Sequence, residues 1–547
     1  MRASCPLRDL TAACDRIVTH ARSVLPHVPE ARPLSRFFEQ DAMLSPFTER
    51  DGGDVRALYR TQFLQFGRLS YLARVLSFRS DYAEAFFTCQ RDIMSEPGPL
   101  PIVWRHYIAL LAAARHRSAY LCELQSELFV LSGGDAAWLD GIANSPTKMQ
   151  SYAALDAVTA HQPWLLSAAL FSPLLRGADA WTVGELVHAV VISATFRALA
   201  GIVAGCGLNF EVDFVNVSGD ARTDEYCAPP EPAVPVVDAA AAKATELVIK
   251  RLQLVELTES GLDEGDDDAE LAHGAAAVEQ FNRAGEEDDA MSRRSSSSAN
   301  SKLAAVAPPP TAPAMAPATT AAAAAPRSGS NSASQPAAVA DGLTRLQLNE
   351  IAERTTAYLS KFIGPHTLRH DDFDVHSRQY HIFRANDYSW PHQGYELLLR
   401  FLPRVAQPLD NLFNLTQTMT DNCFNTFDNV DTGPYRRAVW QYVQRTKGVL
   451  HDDYDYQDVT PVFSSSRASN LLSVHAQINV YLNKFNKNFI KKIVCYPEHV
   501  TLHDFQQLGY VMAPHEKLHL CALAVESRKQ AELLYALRAL MTAMGLK

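Results

Sequence analysis

"TVGELVHAVVISATFRALAGI" at residues 182–202 reads as one long apolar helix. Its wider stretch, "VGELVHAVVISATFRALAGIVAGCG" (183–207), is the nearest approach in the chain to a membrane span. A span needs about 20 uninterrupted apolar residues. Glu185, His188 and Arg197 interrupt this one, so it is expected in a protein core. A second stretch, "PHEKLHLCALAVESRKQAELLYAL" (514–537), opens in the same way: Glu516 and His519 repeat the Glu-x-(Val/Leu)-His of Glu185 and His188. "VWRHYIALLAAARHR" (103–117) and "YRRAVWQYVQRTKG" (435–448) each set a basic residue beside an aromatic one on an Ala/Val-rich helix. The echo fits an internal duplication; short helical matches also arise by chance.

Working outward, helical periodicity places helices near 54–78, 80–93, 101–131, 148–160 and 181–204. The second half gives 343–363, 393–404, 434–447, 467–493 and 514–544. Few runs alternate with period two, so a substantial sheet is not expected. Between the halves the chain turns acidic ("DEGDDDAE", 263–270), then basic and Ser-rich ("SRRSSSSANS", 292–301), then Pro/Ala-rich (307–337). Such composition cannot bury enough apolar surface to offset ordering entropy. One helix is expected inside it, around "AAKATELVIKRLQLVEL" (241–257), carried by Leu247, Ile249, Leu252 and Leu254. The serine run after two arginines reads as a phosphorylation site or a solvated linker. The expected organisation is an extension at 1–50, a helical domain at 51–215, a disordered low-complexity linker at 216–342 and a second helical domain at 343–547.

The chain has 547 residues, 47% of them apolar, and a net charge of −11, which argues against a nucleic-acid partner. Nine scattered cysteines without a CxxC pair fit a reducing compartment and give neither a disulfide framework nor a zinc site. The N-terminus lacks an apolar signal core, and Asp9 and Asp15 weaken a transit-peptide reading. A cytoplasmic location follows, with the nucleus as an addition. No HExxH, GxSxG, P-loop or GxGxxG motif appears, and neither a metal nor a cofactor is expected. "GVLHDDYDYQDV" (448–459) packs acids around Tyr454 and Tyr456 without the Gly and terminal Glu of an EF-hand. It reads as a solvated surface or as an interface with aromatic anchors.

Several blocks then resemble one family. "PLPIVWRHYIALLAAARH" (99–116), "GGDAAWLDG" (133–141), "HQPWLL" (161–166) and "GELVHAVV" (184–191) are similar to the first half of the sestrins. "FRANDYSWPHQGYELLLRF" (383–401), "VDTGPYRRAVW" (430–440), "HDDYDY" (451–456), "VCYPEHV" (494–500), "EKLHL" (516–520) and "ELLYALRAL" (532–540) are similar to their second half. The resemblance implies an all-α protein of two AhpD-like helical halves, similar to the carboxymuconolactone decarboxylase fold, joined by a disordered linker. It also implies two activities, alkyl hydroperoxide reduction in oxidative stress and leucine-sensitive restraint of target-of-rapamycin complex 1 through the GATOR assembly.

The first activity needs a thiolate nucleophile with a proton relay. The family's nucleophile, tyrosine and histidine fall here on Ser118, Tyr120 and Gln125. A serine alcohol has no accessible anion near neutral pH and glutamine cannot shuttle a proton, so the enzyme reading loses two of three members. Cys122, one turn on, is either a rescuing thiol or a small core residue opposed by Glu123. The second activity needs a carboxylate for the ligand ammonium and a guanidinium for its carboxylate, each contributing about 1.5–3 kcal/mol. Glu516 and Arg436 match these positions, and Thr420 and Thr432 match lid hydroxyls. Asp421 and Cys423 replace the lid's tyrosine and second threonine, and the pocket's tryptophan falls at Gly509 with Tyr510 as the aromatic beside it. The alternative for Arg436 and Glu516 is an internal ion pair. The resemblance makes Asp452, Asp453 and Tyr454 the docking surface for a GATOR-type complex, with leucine or a similar free amino acid as the second partner. The sequence-level conclusion is a nutrient- and stress-signalling protein; a hydroperoxide reductase and a scaffold with a vestigial pocket are the other readings.

Overall fold

Thr182 accepts a hydrogen bond from Glu185 N while the Glu185 carboxylate accepts one from Thr182 N, a capping box that fixes the start of the long apolar helix. The computed structural model describes residues 8–24, 33–38, 53–67, 69–177, 179–211, 239–259, 356–364, 368–373, 383–385, 389–451, 478–508 and 510–546. The first half contains α1 (Arg8–Val24), α2 (Gly53–Phe66), α3 (Tyr71–Leu76), α4 (Ser80–Met94), α5 (Ile102–Arg115), α6 (Ala119–Leu131), α7 (Thr147–His161), α8 (Ala168–Phe171) and α9 (Val183–Gly205). α10 (Ala239–Glu259) follows. The second half contains α11 (Glu396–Phe401), α12 (Pro403–Thr418), α13 (Gly433–Thr446), α14 (Ile478–Tyr481), α15 (Lys484–Cys495), α16 (Leu502–Gln506) and α17 (Pro514–Ala543). Four two-residue strands complete it: β1 (Phe383–Arg384) pairs parallel with β4 (Val449–Leu450), and β2 (Cys423–Phe424) pairs antiparallel with β3 (Phe427–Asp428). The fold is all-helical, as expected.

Five expectations change in detail. The single helix expected over 54–78 is α2 and α3, because Gly67 takes a left-handed φ of 69° between them. Of the helix expected over 467–493, residues 467–477 lie outside the described residues and the rest is divided between α14 and α15. The single helix expected over 101–131 is two, because Arg117 takes a left-handed φ of 52° between α5 and α6. α12 extends well beyond the helix expected at 393–404: Pro403 opens it at the first turn, where a missing N–H costs nothing, and Pro408 is accommodated within it. α10 lies within the expected linker and is longer than the periodicity suggested. Val248, Ile249 and Leu252 are buried, Leu247 is half-buried, and Val511 N donates to Thr245 Oγ1, so the helix is docked on the second half. Within the expected extension, Ser35 Oγ donates to Cys206 O and Phe37 stacks on Phe505 with centroids 5.1 Å apart. The rest of the expected linker lies outside the described residues.

The two halves share one hydrophobic core that runs from Leu34 to Leu540. Its axis is the crossing of α9 with α17. α9 is, among the described residues, the one helix long and apolar enough to cross a membrane, with a mean hydropathy of 1.9, yet it is buried throughout against protein. The close crossing depends on Gly201, where an added Cβ would stand 2.7 Å from Ile493 O and 2.8 Å from Val525 Cγ1.

A buried ionic chain lies across this crossing. Arg197 of α9 donates to Asp156 Oδ1 of α7 at 2.5 Å and to Glu532 Oε2 of α17 at 2.9 Å. Asp156 also accepts from Arg115 Nε at 2.6 Å, and Glu532 from Arg528 Nε at 2.7 Å, with Lys447 Nζ 3.9 Å away. Two anions therefore face four cations, and each buried charge depends on its partners. Burial favours a protonated Glu532, but Arg197, Arg528 and Lys447 outweigh it and hold the carboxyl below its ordinary 4.5. A carboxylate depressed in the folded state contributes stability above its unfolded pKa and loses it as pH falls through the folded one. Glu532→Gln is expected to cost about 3–5 kcal/mol in urea unfolding at neutral pH. The variant should also lose less further stability than wild type between pH 4.5 and acid unfolding.

Candidate functional site

In the second half one cleft forms between the loop joining α12 to α13 and the start of α17, with Arg79 contributed from the first half. The loop holds the β2–β3 hairpin, and Asn422, Asn425 and Asn429 all take left-handed φ between 51° and 58°. Asparagine tolerates that conformation better than other non-glycine residues, so this is the sequence's means of folding the lid tightly. Thr420 Oγ1 and Thr432 Oγ1 meet at 3.3 Å across the lid's base. Glu516 performs two tasks. Its Oε2 accepts from Ala513 N at 2.6 Å, capping α17, and its Oε1 accepts from Asn425 N at 2.7 Å, latching the hairpin.

Arg436, at the fourth position of α13, donates through Nη1 to Met419 O at 2.7 Å, and its Nη2 stands 3.9 Å from Asp431 Oδ1. Its Nε is buried and has no hydrogen-bond partner. Burial pulls the guanidinium below its ordinary value and Asp431 partly restores it. The expected alternative, an ion pair between Arg436 and Glu516, is not what forms: each charge is engaged elsewhere, and both line the same cleft. The apolar wall comes from Phe424, Tyr435, Met512, Leu520 and Leu523. Tyr510 does not line the cleft. It packs edge-on behind Phe424 and Tyr435 and donates to Tyr481 O at 2.7 Å. Gly509 lies outside the described residues, as do Asp452, Asp453 and Tyr454.

The first half carries the same frame with its space filled. Arg105, also the fourth residue of its helix, donates to Leu100 O, Ile93 O and Glu96 O at 2.7 to 3.2 Å. His188 Nε2 meets Ile93 O near the end of α4 at 2.8 Å, and His519 Nε2 meets Thr416 O near the end of α12 at 3.0 Å. The repeated Glu-x-x-His thus does the same work twice. In the first half, however, Glu185 receives the Lys148 ammonium at 2.9 and 3.0 Å, and that ammonium also sits over the rings of Trp104 and Trp181. An internal cation occupies the position left open in the second half.

The thiol-site residues come to nothing reactive. Ser118 Oγ is buried without a partner, and Tyr120 donates to Glu211 Oε1 at 2.5 Å. Gln125 Oε1 is bonded to His106 Nδ1 at 2.9 Å. Cys122 is completely buried, and burial together with Glu123 pushes its thiol well above the ordinary range. His116 is buried against Arg528, and burial with that guanidinium holds it well below an ordinary histidine. Sequence reasoning missed Arg79, which joins the cleft from the first half, and His515, which stands beside Glu516 in the chain but meets Asp421 only through the fold. Arg79 binds Asp421 and reaches Asp81 at 3.3 Å, and His515 Nε2 stands 3.3 Å from Asp421 Oδ2. No local pattern marks either one.

The family model described as PA26 p53-induced protein (sestrin) matches residues 34–468 and 474–544. The sestrin homolog of Dictyostelium discoideum is 40% identical over 521 residues, covering 94% of this chain and 77% of that protein. Sestrin-1 of Macaca fascicularis is 30% identical, covering 93% and 91%. The sestrin homolog of Drosophila melanogaster is 28% identical, covering 87% and 93%.

With Cys122 buried, native protein exposed to iodoacetamide should leave it unlabelled until the chain is unfolded. Cys122→Ser should consume cumene hydroperoxide at the wild-type rate. Peptide mass spectrometry showing Cys122 alkylated in the native state would overturn the assignment of this thiol to the core.

Proposed function

The chain belongs to the sestrin family, and from that premise we propose that it binds leucine or a similar free amino acid in the cleft of its second half. In this reading it is a stress and nutrient signalling protein of the cytoplasm, and also of the nucleus, that restrains target-of-rapamycin complex 1 by binding a GATOR-type complex. Amino-acid binding relieves that restraint.

The observation that carries the reading is the buried, unpartnered Nε of Arg436 in a cleft it shares with the Glu516 carboxylate. A buried donor without an acceptor costs about 1–3 kcal/mol. A ligand carboxylate removes that cost, while Glu516 receives the ammonium and Phe424, Leu520 and Leu523 cover the side chain. Two charge-assisted contacts of about 1.5–3 kcal/mol each and a buried leucine of about 1.5–3 kcal/mol stand against an association cost of at least about 4 kcal/mol. The most favourable balance, about 5 kcal/mol, corresponds to a sub-millimolar Kd. Asp421 puts a charge on the rim where the resemblance has a tyrosine, and Cys423 puts a thiol where it has a hydroxyl. The docking of the partner is assigned to Asp452, Asp453 and Tyr454, directly after β4.

Thermal unfolding of the full chain against each of the twenty amino acids tests the pocket. One of them, leucine first, should stabilise the wild type, by about 2.7 kcal/mol at a hundredfold excess over Kd. Glu516→Ala and Arg436→Met should each abolish the shift relative to their own ligand-free values. No shift with any amino acid would leave the scaffold reading. In pulldowns, replacing Asp452 and Asp453 with Ala should abolish recovery of a GATOR-type partner; undiminished recovery would sink the docking assignment.

A further inference from the structure

The rim of the cleft carries a group of three side chains, two of them lid residues of the amino-acid reading, whose donor atoms suit a different ligand. Asp421 and Cys423 lie on the lid, and His515 is the second residue of α17. One ligating atom from each, a carboxylate oxygen, the thiol sulfur and an imidazole nitrogen, all lie within 4.8 Å of one another. We propose that these three residues form a binding site for a divalent transition ion, Zn2+ foremost, that ties the lid to the start of α17.

The geometry is close to what the ion requires. Tetrahedral zinc takes N and O at about 2.0–2.1 Å and S at about 2.3 Å, so its ligand-to-ligand edges are roughly 3.3–3.6 Å. His515 Nε2 and Asp421 Oδ2 already stand 3.3 Å apart. A side-chain rotation at Cys423 covers the remaining distance, because that residue is half-buried on a lid rather than locked in the core. The donor set of one thiolate, one imidazole and one carboxylate selects against Mg2+ and Ca2+, which prefer oxygen alone. Three protein ligands leave the fourth position open toward the cleft mouth, as in zinc sites that bind a water or a further ligand.

The charges around the site are mixed. Arg79 is the present partner of Asp421, and Arg436 lies on the far wall; Glu516 and Asp428 oppose them. A carboxylate has about four acceptor positions, so Asp421 can hold an ion and keep Arg79. Burial, followed by Glu516, Asp421 and Asp428, raises the Cys423 thiol, and the same negative field that opposes a thiolate attracts a dication. On binding, the S–H bond breaks, the S–metal bond forms, and the proton leaves to solvent with no change of oxidation state.

A metal across the lid and α17 would hold the cleft closed. That consequence rests on the amino-acid reading: a metal that tightens an amino acid by some factor is itself tightened by the same factor. The metal site does not depend on it.

Zinc titrated into the full chain against a chromophoric chelator, with Co2+ spectra as a second readout, tests the proposal. The expected result is one site that Cys423→Thr and His515→Gln each weaken by more than the roughly 10–100-fold typical of changes outside the ligand shell. Co2+ should give a thiolate charge-transfer band that vanishes in Cys423→Thr, with both variants unfolding at the wild-type temperature without metal. Zinc held equally by wild type and the double variant, or by neither, overturns the site. Arg436→Met separates the two ideas, since it should lose any amino-acid response and keep the zinc; loss of the zinc there would overturn the independence claimed for the site.

Discussion

Arg197 is the constraint on which the rest of the structure depends. It is completely buried in the middle of α9, and its guanidinium reaches Asp156 in one half and Glu532 in the other. A buried charge with no partner costs several kcal/mol, so α7, α9 and α17 cannot separate or slide without exposing that cost. Gly201 enforces the same arrangement sterically, by allowing α9 to approach Ile493 and Val525 as closely as it does. Pairs of this kind add little net stability compared with apolar packing, and their effect is to select one register among several. The halves therefore meet in one fixed relation, and this is what allows Arg79 of the first half to line a cleft in the second.

Within that relation the two halves use one frame for different ends. Each has a glutamate that caps a long helix, a histidine one turn on that holds the end of another helix, and an arginine at the fourth position of a third. In the first half Arg105 donates to three carbonyls and the Glu185 carboxylate accepts from Lys148, while His188 Nδ1 stays unpartnered. In the second, Arg436 keeps an unpartnered Nε and no lysine approaches Glu516 among the bonds described. The second copy is the one that leaves its guanidinium and carboxylate facing a shared cleft.

Much of this was legible in the sequence, and the reasons for the exceptions are physical. The echo of Glu185/His188 in Glu516/His519 pointed to the duplicated frame, and Ser118 and Gln125 were legible as the residues standing at the thiol-site positions. α12 was largely missed because two prolines argue against a helix unless one stands at the first turn, which Pro403 does. The break at Arg117 was missed because nothing in "ARHRSA" signals a left-handed residue other than asparagine or glycine. Tyr510 looked like a pocket wall from its position in the chain, but only the packing of Phe424 and Tyr435 in front of it decides what faces the cleft. Arg79 and His515 are brought to Asp421 by tertiary contacts alone, which no local pattern encodes.

The position of Glu516 explains why occupancy of the cleft can be felt outside it. Its two oxygens already accept Ala513 N and Asn425 N, so the cap of α17 and the latch of the lid end on one carboxylate. A carboxylate offers about four acceptor positions, so on the proposed amino-acid reading an ammonium would have positions left without displacing either N–H. On the amino-acid reading, a ligand that touches both Glu516 and the lid residues would favour the latched form. A ligand shifts a conformational equilibrium only by its differential affinity for the two forms. Here that difference is built into a single side chain. The loop whose position it controls leads through Thr432 into α13, and α13 runs to β4, the last described element before the acidic tyrosine tract.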